Sequence, residues 1–167
     1  GIEWYGPASP VLGAMGGGAC TPRGAGHWVH ARRDNLGMVV MLLDNGIYGL
    51  TKTQTSPTTP QGFPTNTQPH GSLLPPLNPL QVALGVTNAS FVAQTAEWAP
   101  AHLYATLRAA YRHRGLSFVR ILHRCPIYAS AVYQQAVPDP ARIAVRVQYE
   151  CVVFPYFNTL RTTELFP

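Results

Sequence analysis

The sequence predicts an α/β domain in which a parallel sheet is flanked by helices. Residues 38–43 form a compact apolar run between polar turn residues, which is typical of a buried strand. Further along the chain, two segments that are bounded by helix-starting and helix-ending residues alternate with two more strand-like runs. Because parallel neighbours need a long crossover connection, this alternation of strands and helices favours parallel pairing.

The first predicted elements lie between residues 24 and 43. Residues 24–35 have the pattern of a short helix, and the strand at residues 38–43 follows it and ends in an Asp-Asn-Gly turn. Residues 1–13 show no clear element. The stretch from the turn to Pro76 contains six prolines and has no hydrophobic periodicity. A loop of this length inside a compact domain is either functional or disordered.

A helix and a strand are predicted next along the chain. Asn78 is placed to cap the helix, Pro79 suits its first turn, and Gly85 can end it. Residues 90–94 then form a strand-like run. This pair continues the strand-and-helix order that began at residue 24.

The last predicted elements follow Pro100. A second helix runs from Pro100 to Gly115, and residues 116–122 predict the next strand. Residues 128–137 are compatible with a helix, and residues 143–154 alternate loosely like a strand. Four side chains share one face of the second helix at helical spacing: Leu103, Leu107, Ala110 and Tyr111.

Composition favours one domain away from membranes. A chain of 167 residues with 46% hydrophobic content fills one core but hardly two. The longest apolar run is far shorter than the ~20 residues of a membrane-spanning helix, and the start of the sequence lacks a signal-peptide pattern. Cys20, Cys125 and Cys151 are widely spaced and contain no Cys-x-x-Cys pair, which argues against a disulfide framework. We therefore expect a cytoplasmic protein that does not interact with membranes.

The positive charge of the chain does not indicate a nucleic-acid partner. The formal net charge is +5, but the arginines are spread along the chain. The one local cluster, at residues 112–114, lies where a helix is predicted to end, and cations there complement the helix dipole. Lys52 is the only lysine.

The turn after residues 38–43 is the first candidate site, because ligands of open parallel sheets bind at the carboxyl ends of strands. Asn45 offers a side-chain oxygen and Ile47 a backbone carbonyl, and such oxygens suit magnesium beside a phosphate. The alternative is an Asp-Asn-Gly turn without a ligand. The glycine-rich residues 13–28 likewise indicate either a phosphate loop or a connector.

A longer series of segments resembles the β subunits of 2-oxoacid:ferredoxin oxidoreductases. The series consists of "GAGHWVHA", "DNGIYGLTKTQTSPTT", "LNPL", "LGVTN", "SFVAQ", "HRGLSFVRIL" and "RCP". The resemblance covers residues 24–143 and implies a thiamine diphosphate-binding fold. It leaves residues 1–23 and 144–167 as divergent flanks, consistent with sequence of foreign origin such as a shifted reading frame.

The resemblance implies an activity for the complete protein. Members of this family carry out the oxidative decarboxylation of a 2-oxoacid to an acyl-coenzyme A, and ferredoxin accepts the electrons. The cofactors are thiamine diphosphate and Mg²⁺, with a [4Fe–4S] cluster in some members, and an α subunit is the partner. We expect this chain to be incomplete and inactive by itself. The alternative is a non-catalytic subunit-interaction module that has lost the metal site.

The resemblance also assigns residues. Asn45 and the Ile47 carbonyl are the implied metal ligands, and Lys52 faces the substrate carboxylate unless it is a plain solvent lysine. Cys125 matches the last cysteine of the [4Fe–4S] set, and is a ligand only if upstream cysteines exist. The implied cofactor-binding residues are Gly16, Gly18, Cys20, Gly26, His27, Asn45, Ile47, Tyr48, Gly49, Leu50 and Thr51.

The sequence departs from the family at the metal turn. The register set by residues 24–27 places the family's Gly-Asp-Gly-Asp on residues 16–19, where Gly17 and Ala19 replace the two aspartates. A carboxylate supplies both the charge and the hard oxygen that fix magnesium beside a diphosphate. We therefore predict weak or no thiamine diphosphate binding by this chain alone.

Overall fold

The computed structural model describes residues 11–134, 137–138 and 145–148. Helices and strands alternate along most of this range. The described helices are α1 (Gly17–Cys20), α2 (Ala25–Arg33), α3 (Pro79–Leu84) and α4 (Pro100–Arg112). The described strands are β1 (Val11–Gly16), β2 (Met38–Asp44), β3 (Ile47–Tyr48), β4 (Gln54–Thr55), β5 (Phe91–Ala96), β6 (Ser117–Leu122) and β7 (Val145–Gln148).

In the part of the chain that the structure describes, the main sheet has five strands in the order β1-β2-β6-β5-β7. The first four are parallel to one another, and β7 pairs antiparallel with β5. The parallel sheet predicted from the alternation of strands and helices is therefore confirmed, with one antiparallel strand added beside β5. A separate two-stranded hairpin joins β3 to β4.

Helices cover both faces of the sheet. Trp28 of α2 and Leu80 of α3 pack with Val40 and Phe118, and the Trp28 and Phe118 rings stack at 4.9 Å between centroids. Successive strand residues point to opposite faces, so the neighbouring side chains pack on the other side against α4. Helix α4 connects β5 to β6 and lies on this second face. The chain moves from β1 to β2 and on to β5 in one direction along the sheet, and it moves back from β5 to β6. A right-handed crossover that runs in the opposite direction covers the opposite face.

The predicted helix boundaries are confirmed by local geometry. The Asn78 side chain accepts a hydrogen bond from the Leu80 amide at 3.0 Å, and Pro79 is the first residue of α3. Pro100 likewise begins α4. Gly115 follows α4 with a φ of +110°, and a Cβ there would lie 2.3 Å from the Asn35 side chain. Only glycine fits this position.

Three parts of the chain differ from the sequence-based expectations. Residues 11–20, which belong to the flank 1–23 set apart as divergent, form β1 and α1. Residues 128–134 form turns where a helix was predicted, and residues 135–136 lie outside the described part. A backbone bridge between Cys125 and Ala129 turns this segment back on itself. Of the strand predicted at 143–154, the described portion is β7.

The long segment after β2 is folded onto the domain by polar contacts. It begins with the β3–β4 hairpin, and hydroxyl groups of its threonines bond to one another and to the backbone. No helix in the described ranges is long and apolar enough to cross a membrane.

Candidate functional site

The two candidate motifs lie side by side at the carboxyl edge of the sheet. Strand β1 ends at Gly16, which pairs with Leu43 near the end of the adjacent strand β2. Helix α1 follows β1 at once, and the Asp-Asn-Gly turn follows β2. The glycine-rich loop and the turn therefore face each other where ligands of parallel sheets bind.

Tyr48 binds the glycine-rich loop directly. Its hydroxyl donates a hydrogen bond to the Gly18 carbonyl at 2.7 Å. A Cβ at Gly18 would lie 1.9 Å from the Tyr48 ring, far inside any permitted contact. The glycine at position 18 is therefore required by the tyrosine, whether or not a phosphate binds the loop.

Gly17 faces the carboxylate of Asp44. Gly17 is buried, and a Cβ there would lie 2.9 Å from Asp44 Oδ1. Ala19, the other position where the family has an aspartate, is exposed. The two positions that lack carboxylates thus have different surroundings.

Asp44 is the centre of a buried polar network. Its carboxylate is fully buried and accepts hydrogen bonds from the Gly46 amide at 3.1 Å and the Thr58 hydroxyl at 2.6 Å. Arg120 of β6 donates two more to Oδ2, at 2.9 and 2.5 Å. The same guanidinium reaches Gln94 and the hydroxyl of Tyr133. Burial and the charge of Asp44 raise the pKa of Tyr133 well above its usual value.

The segment 56–59 is anchored on the turn. Thr59 donates to the Gly46 carbonyl at 2.6 Å, and the Ser56 amide donates to the Thr59 hydroxyl at 2.8 Å. With the Thr58 bond to Asp44, these contacts fix the start of the long segment to the end of β2. The sequence "SPTT" is therefore structural at this point.

Asn45 and Ile47, the implied metal ligands, lie next to each other in the turn. The Asn45 side-chain oxygen accepts a hydrogen bond from the Ile47 amide at 3.2 Å. The Ile47 side chain is buried in an apolar cluster that includes Cys125. A Cβ at Gly49 would lie 3.5 Å from the Asn45 amide nitrogen and 3.8 Å from the Cys125 sulfur. The structure thus brings Cys125 close to the residues that follow the Asp-Asn-Gly turn.

Several predicted site residues lie on the surface. Lys52 is exposed with a φ of +62°, and Leu50 is fully exposed. The Thr51 hydroxyl donates to the Tyr48 carbonyl at 3.3 Å. Gly26 and His27 are exposed on α2. The structure leaves the side chains of Lys52 and His27 accessible to a ligand.

Cys20, one of the implied cofactor-binding residues, is buried in the core. Its side chain is fully buried in the core beside Trp28, whose indole donates to the Cys20 carbonyl at 3.1 Å. Burial and the nearby charge of Asp44 raise the pKa of the thiol to about 11. The thiol is therefore not on the surface that the loop offers to a cofactor.

The glycine-rich loop at residues 16–19 and the Asp-Asn-Gly turn do not fit a magnesium ion, because neither offers it a free carboxylate. Within the described ranges, no group of three His, Cys, Asp or Glu side chains is arranged to hold a metal ion. Asp44, the carboxylate beside Gly17, is committed to Arg120. The chain also has three cysteines, fewer than the four thiolates of a [4Fe–4S] cluster.

Arg120, Thr58 and Tyr133 are parts of the site that sequence reasoning missed. The signal for Arg120 is a charged residue inside the apolar strand "SFVRIL". A charge within a buried strand needs a partner, and the partner here is Asp44. Thr58 lies in a segment without hydrophobic periodicity, and Tyr133 lies in a stretch that is compatible with a helix. Neither pattern marks a buried hydroxyl.

Comparison with known protein families identifies the class of this protein. The model of the C-terminal TPP binding domain of thiamine pyrophosphate enzymes matches residues 1–121, and the chain belongs to this family. Within it, the chain is similar to β subunits of 2-oxoacid:ferredoxin oxidoreductases, as the sequence predicts. It is 43% identical over 113 residues to the 2-oxoglutarate oxidoreductase subunit KorB of Mycobacterium tuberculosis. It is 38% identical over 128 residues to the 2-oxoacid:ferredoxin oxidoreductase subunit beta of a Sulfolobus species.

A solved structure agrees with this assignment. The 2-oxoglutarate:ferredoxin oxidoreductase from Magnetococcus marinus, with 2-oxoglutarate, coenzyme A and succinyl-CoA bound, matches with a TM-score of 0.72 and 34% identity. That match covers 80% of this chain and 47% of the other. The two relatives are matched over 68% and 77% of this chain, but over only 30% and 42% of their own lengths. The chain thus spans less than half of each.

Proposed function

We propose that this chain is part of the β subunit of a 2-oxoacid:ferredoxin oxidoreductase. The complete enzyme decarboxylates a 2-oxoacid, transfers the acyl group to coenzyme A and passes the electrons to ferredoxin, in a complex with an α subunit. Thiamine diphosphate supplies the carbanion chemistry of such a reaction, and the protein supplies binding and orientation. Coenzyme A and a 2-oxoacid are the substrates.

One observation carries this proposal: the candidate loop and turn meet at the carboxyl edge of a sheet that matches the solved oxidoreductase. Gly16 ends β1, Gly18 lies in α1 directly after it, and Asn45 and Ile47 follow β2. Exposed Lys52 and His27 add groups on neighbouring segments, and an ammonium is suited to a substrate carboxylate.

The chain alone is proposed to be inactive. The loop has no carboxylate at Gly17, and the nearest one belongs to the Asp44–Arg120 pair. Loss of residues that merely support metal ligands lowers affinity or activity ~10–100-fold, and loss of a ligand itself is at least as severe. No catalytic step is therefore assigned to residues of this chain.

The experiment is an assay of the chain assembled with the α subunit of a 2-oxoacid:ferredoxin oxidoreductase. Reduction of ferredoxin is followed with coenzyme A and either 2-oxoglutarate or pyruvate, and an intact β subunit of a relative serves as the positive control. Stable assembly with the α subunit supports the proposed place in the complex. Failure to assemble, under conditions where the control assembles, contradicts it.

A second candidate function is a non-catalytic module that binds the α subunit. The commitment of Asp44 to Arg120 favours it, because the buried charges of the site are already balanced. Aspartates restored at Gly17 and Ala19 distinguish the two functions in the assembled complex. Rescued ferredoxin reduction supports a damaged enzyme, and inactivity with intact assembly that persists when Asp44→Asn is added supports the module.

A further inference from the structure

The space in front of Gly17 is already filled. Gly17 is buried at the first position of α1, directly after β1, and a Cβ there would lie 2.9 Å from Asp44 Oδ1 and 3.5 Å from Asp44 Cγ. The first distance is shorter than real Cβ contacts. Any side chain at position 17 must therefore displace the Asp44 carboxylate or move the loop.

The Asp44 carboxylate is not free to move aside. It is fully buried, and both of its oxygens accept hydrogen bonds. Gly46 and Thr58 hold Oδ1, and Arg120 holds Oδ2 with two bonds. Displacing the carboxylate breaks bonds to a charged partner in a buried site, and these are among the stronger hydrogen bonds in proteins.

The charge at this place is also balanced. The Arg120 side chain is 15% exposed and the Asp44 side chain is not exposed at all. A second buried carboxylate beside Asp44 adds like-charge repulsion. A divalent cation beside this pair would be repelled by the Arg120 guanidinium, which already neutralises the Asp44 carboxylate.

We propose that Asp44 determines the ligand specificity of this loop by excluding a divalent cation from it. Asp44 fills the space in front of Gly17, and its charge is neutralised by Arg120. The glycine at position 17 and the aspartate at position 44 are therefore energetically coupled. A single Gly17→Asp change then does not rebuild a metal site. The proposal rests on the proposed function only for the choice of Mg²⁺ as the probe.

The test compares Gly17→Asp with Gly17→Asn, which adds a side chain of the same size without charge. Both substitutions are made in the full chain and in an Asp44→Asn background, and thermal unfolding midpoints are measured. With Asp44 present, we expect the midpoint of the Gly17→Asp variant to be lower than that of the Gly17→Asn variant by roughly 4 °C or more. In the Asp44→Asn background this difference disappears, because coupled residues do not behave additively.

Ala19 provides the matched control, since it lies in the same loop but is exposed. The difference between Ala19→Asp and Ala19→Asn is expected to be the same in both backgrounds. Mg²⁺, compared with NaCl at equal ionic strength, is expected to leave the midpoint of the full chain unchanged. It is also expected not to restore the Gly17→Asp variant while Asp44 is present.

Two results would overturn the proposal. One is a difference between Gly17→Asp and Gly17→Asn that is the same in both backgrounds. The other is a Mg²⁺-dependent recovery of the Gly17→Asp variant with Asp44 intact, which would make Asp44 a ligand. If the charged variants do not fold, Gly17→Ala is compared in the full chain and in an Asp44→Ala background. A smaller loss in the second supports the proposal, and equal losses contradict it.

Discussion

The guanidinium of Arg120 donates two hydrogen bonds to a single carboxylate oxygen of Asp44, at 2.9 and 2.5 Å. The two residues lie on the adjacent parallel strands β6 and β2, and Asp44 is fully buried. The pair links the end of β2 to Gln94 on β5 and to Tyr133. The pair therefore joins the three central strands β2, β6 and β5 next to Gly17 of the glycine-rich loop.

Loss of Arg120 is expected to be severe. Removing one partner of a buried ion pair leaves an uncompensated charge and costs about 3–5 kcal/mol. Arg120→Met should lower the free energy of unfolding by about this amount in denaturant titrations. The control is Glu97→Gln, which breaks the half-exposed pair with Arg124. Exposed pairs contribute about 0–1 kcal/mol, and equal losses in the two variants would contradict the assigned role of Arg120.

The contact between Tyr48 and Gly18 predicts a suppressor. Gly18→Ala places a Cβ inside the Tyr48 ring and is expected to destabilise the chain by about 1–3 kcal/mol. In a Tyr48→Ala background the same change should have little effect, because the obstruction is gone. Gly26→Ala is the control, since Gly26 is helical with open space around it and should gain stability by about 0.5–1 kcal/mol. An unrelieved loss at Gly18 after removal of Tyr48 would contradict the contact.

Thr58 is expected to hold the long segment to the sheet. Its hydroxyl donates to buried Asp44 at 2.6 Å, and hydrogen bonds to charged groups contribute about 1.5–3 kcal/mol. Thr58→Val should therefore destabilise the chain by about that amount and speed proteolysis between residues 50 and 77. Thr51→Val, at an exposed position, is the control. Equal proteolysis rates in both variants and the parent chain would show that the bond does not secure the segment.

Burial of Cys20 makes stability fall in alkali. Its pKa is raised from 9.0 to about 11 in the folded chain, so the folded state holds a proton that the unfolded state releases. This contribution is fully present below pH 9 and is lost as the pH rises toward 11. Unfolding titrations across that range should show a steeper decline for the parent chain than for Cys20→Ala.

Tyr133 needs a control in the same experiment, because its raised pKa acts in the same direction. Tyr133→Phe removes that contribution and should leave the Cys20 effect in place. In the Tyr133→Phe background, an equal pH dependence of the free energy of unfolding with and without Cys20→Ala would contradict the assignment to Cys20.

Elements with strong local signals could be predicted from the sequence. Asn78, Pro79 and Pro100 mark helix starts by their own chemistry, and the apolar residues of β2 mark a buried strand. The strand β1 and helix α1 could not be predicted in this way. Their sequences "VLGAMG" and "GGAC" are rich in glycine, which has low propensity for both structures, and pairing with β2 decides their conformation.

The site was predictable only where a motif carried it. The resemblance placed Gly17 in one turn and Asn45 and Ile47 in another turn of the same site, and the structure brings these turns to neighbouring strand ends. The partnership of Asp44 with Arg120 depends on strand order, since the two residues are far apart in sequence and meet only because β6 lies beside β2. The burial of the Cys20 thiol in the core likewise depends on the packing of α1, which the sequence does not show.

We propose that this chain keeps the fold of a thiamine diphosphate domain but lacks a working metal site. Isothermal titration of the chain with thiamine diphosphate and Mg²⁺ tests it most directly, with an intact β subunit of a relative as the reference. We expect the chain to bind thiamine diphosphate far more weakly than the reference, or not at all, and we expect Mg²⁺ to make no difference. Micromolar binding that requires Mg²⁺ would contradict it.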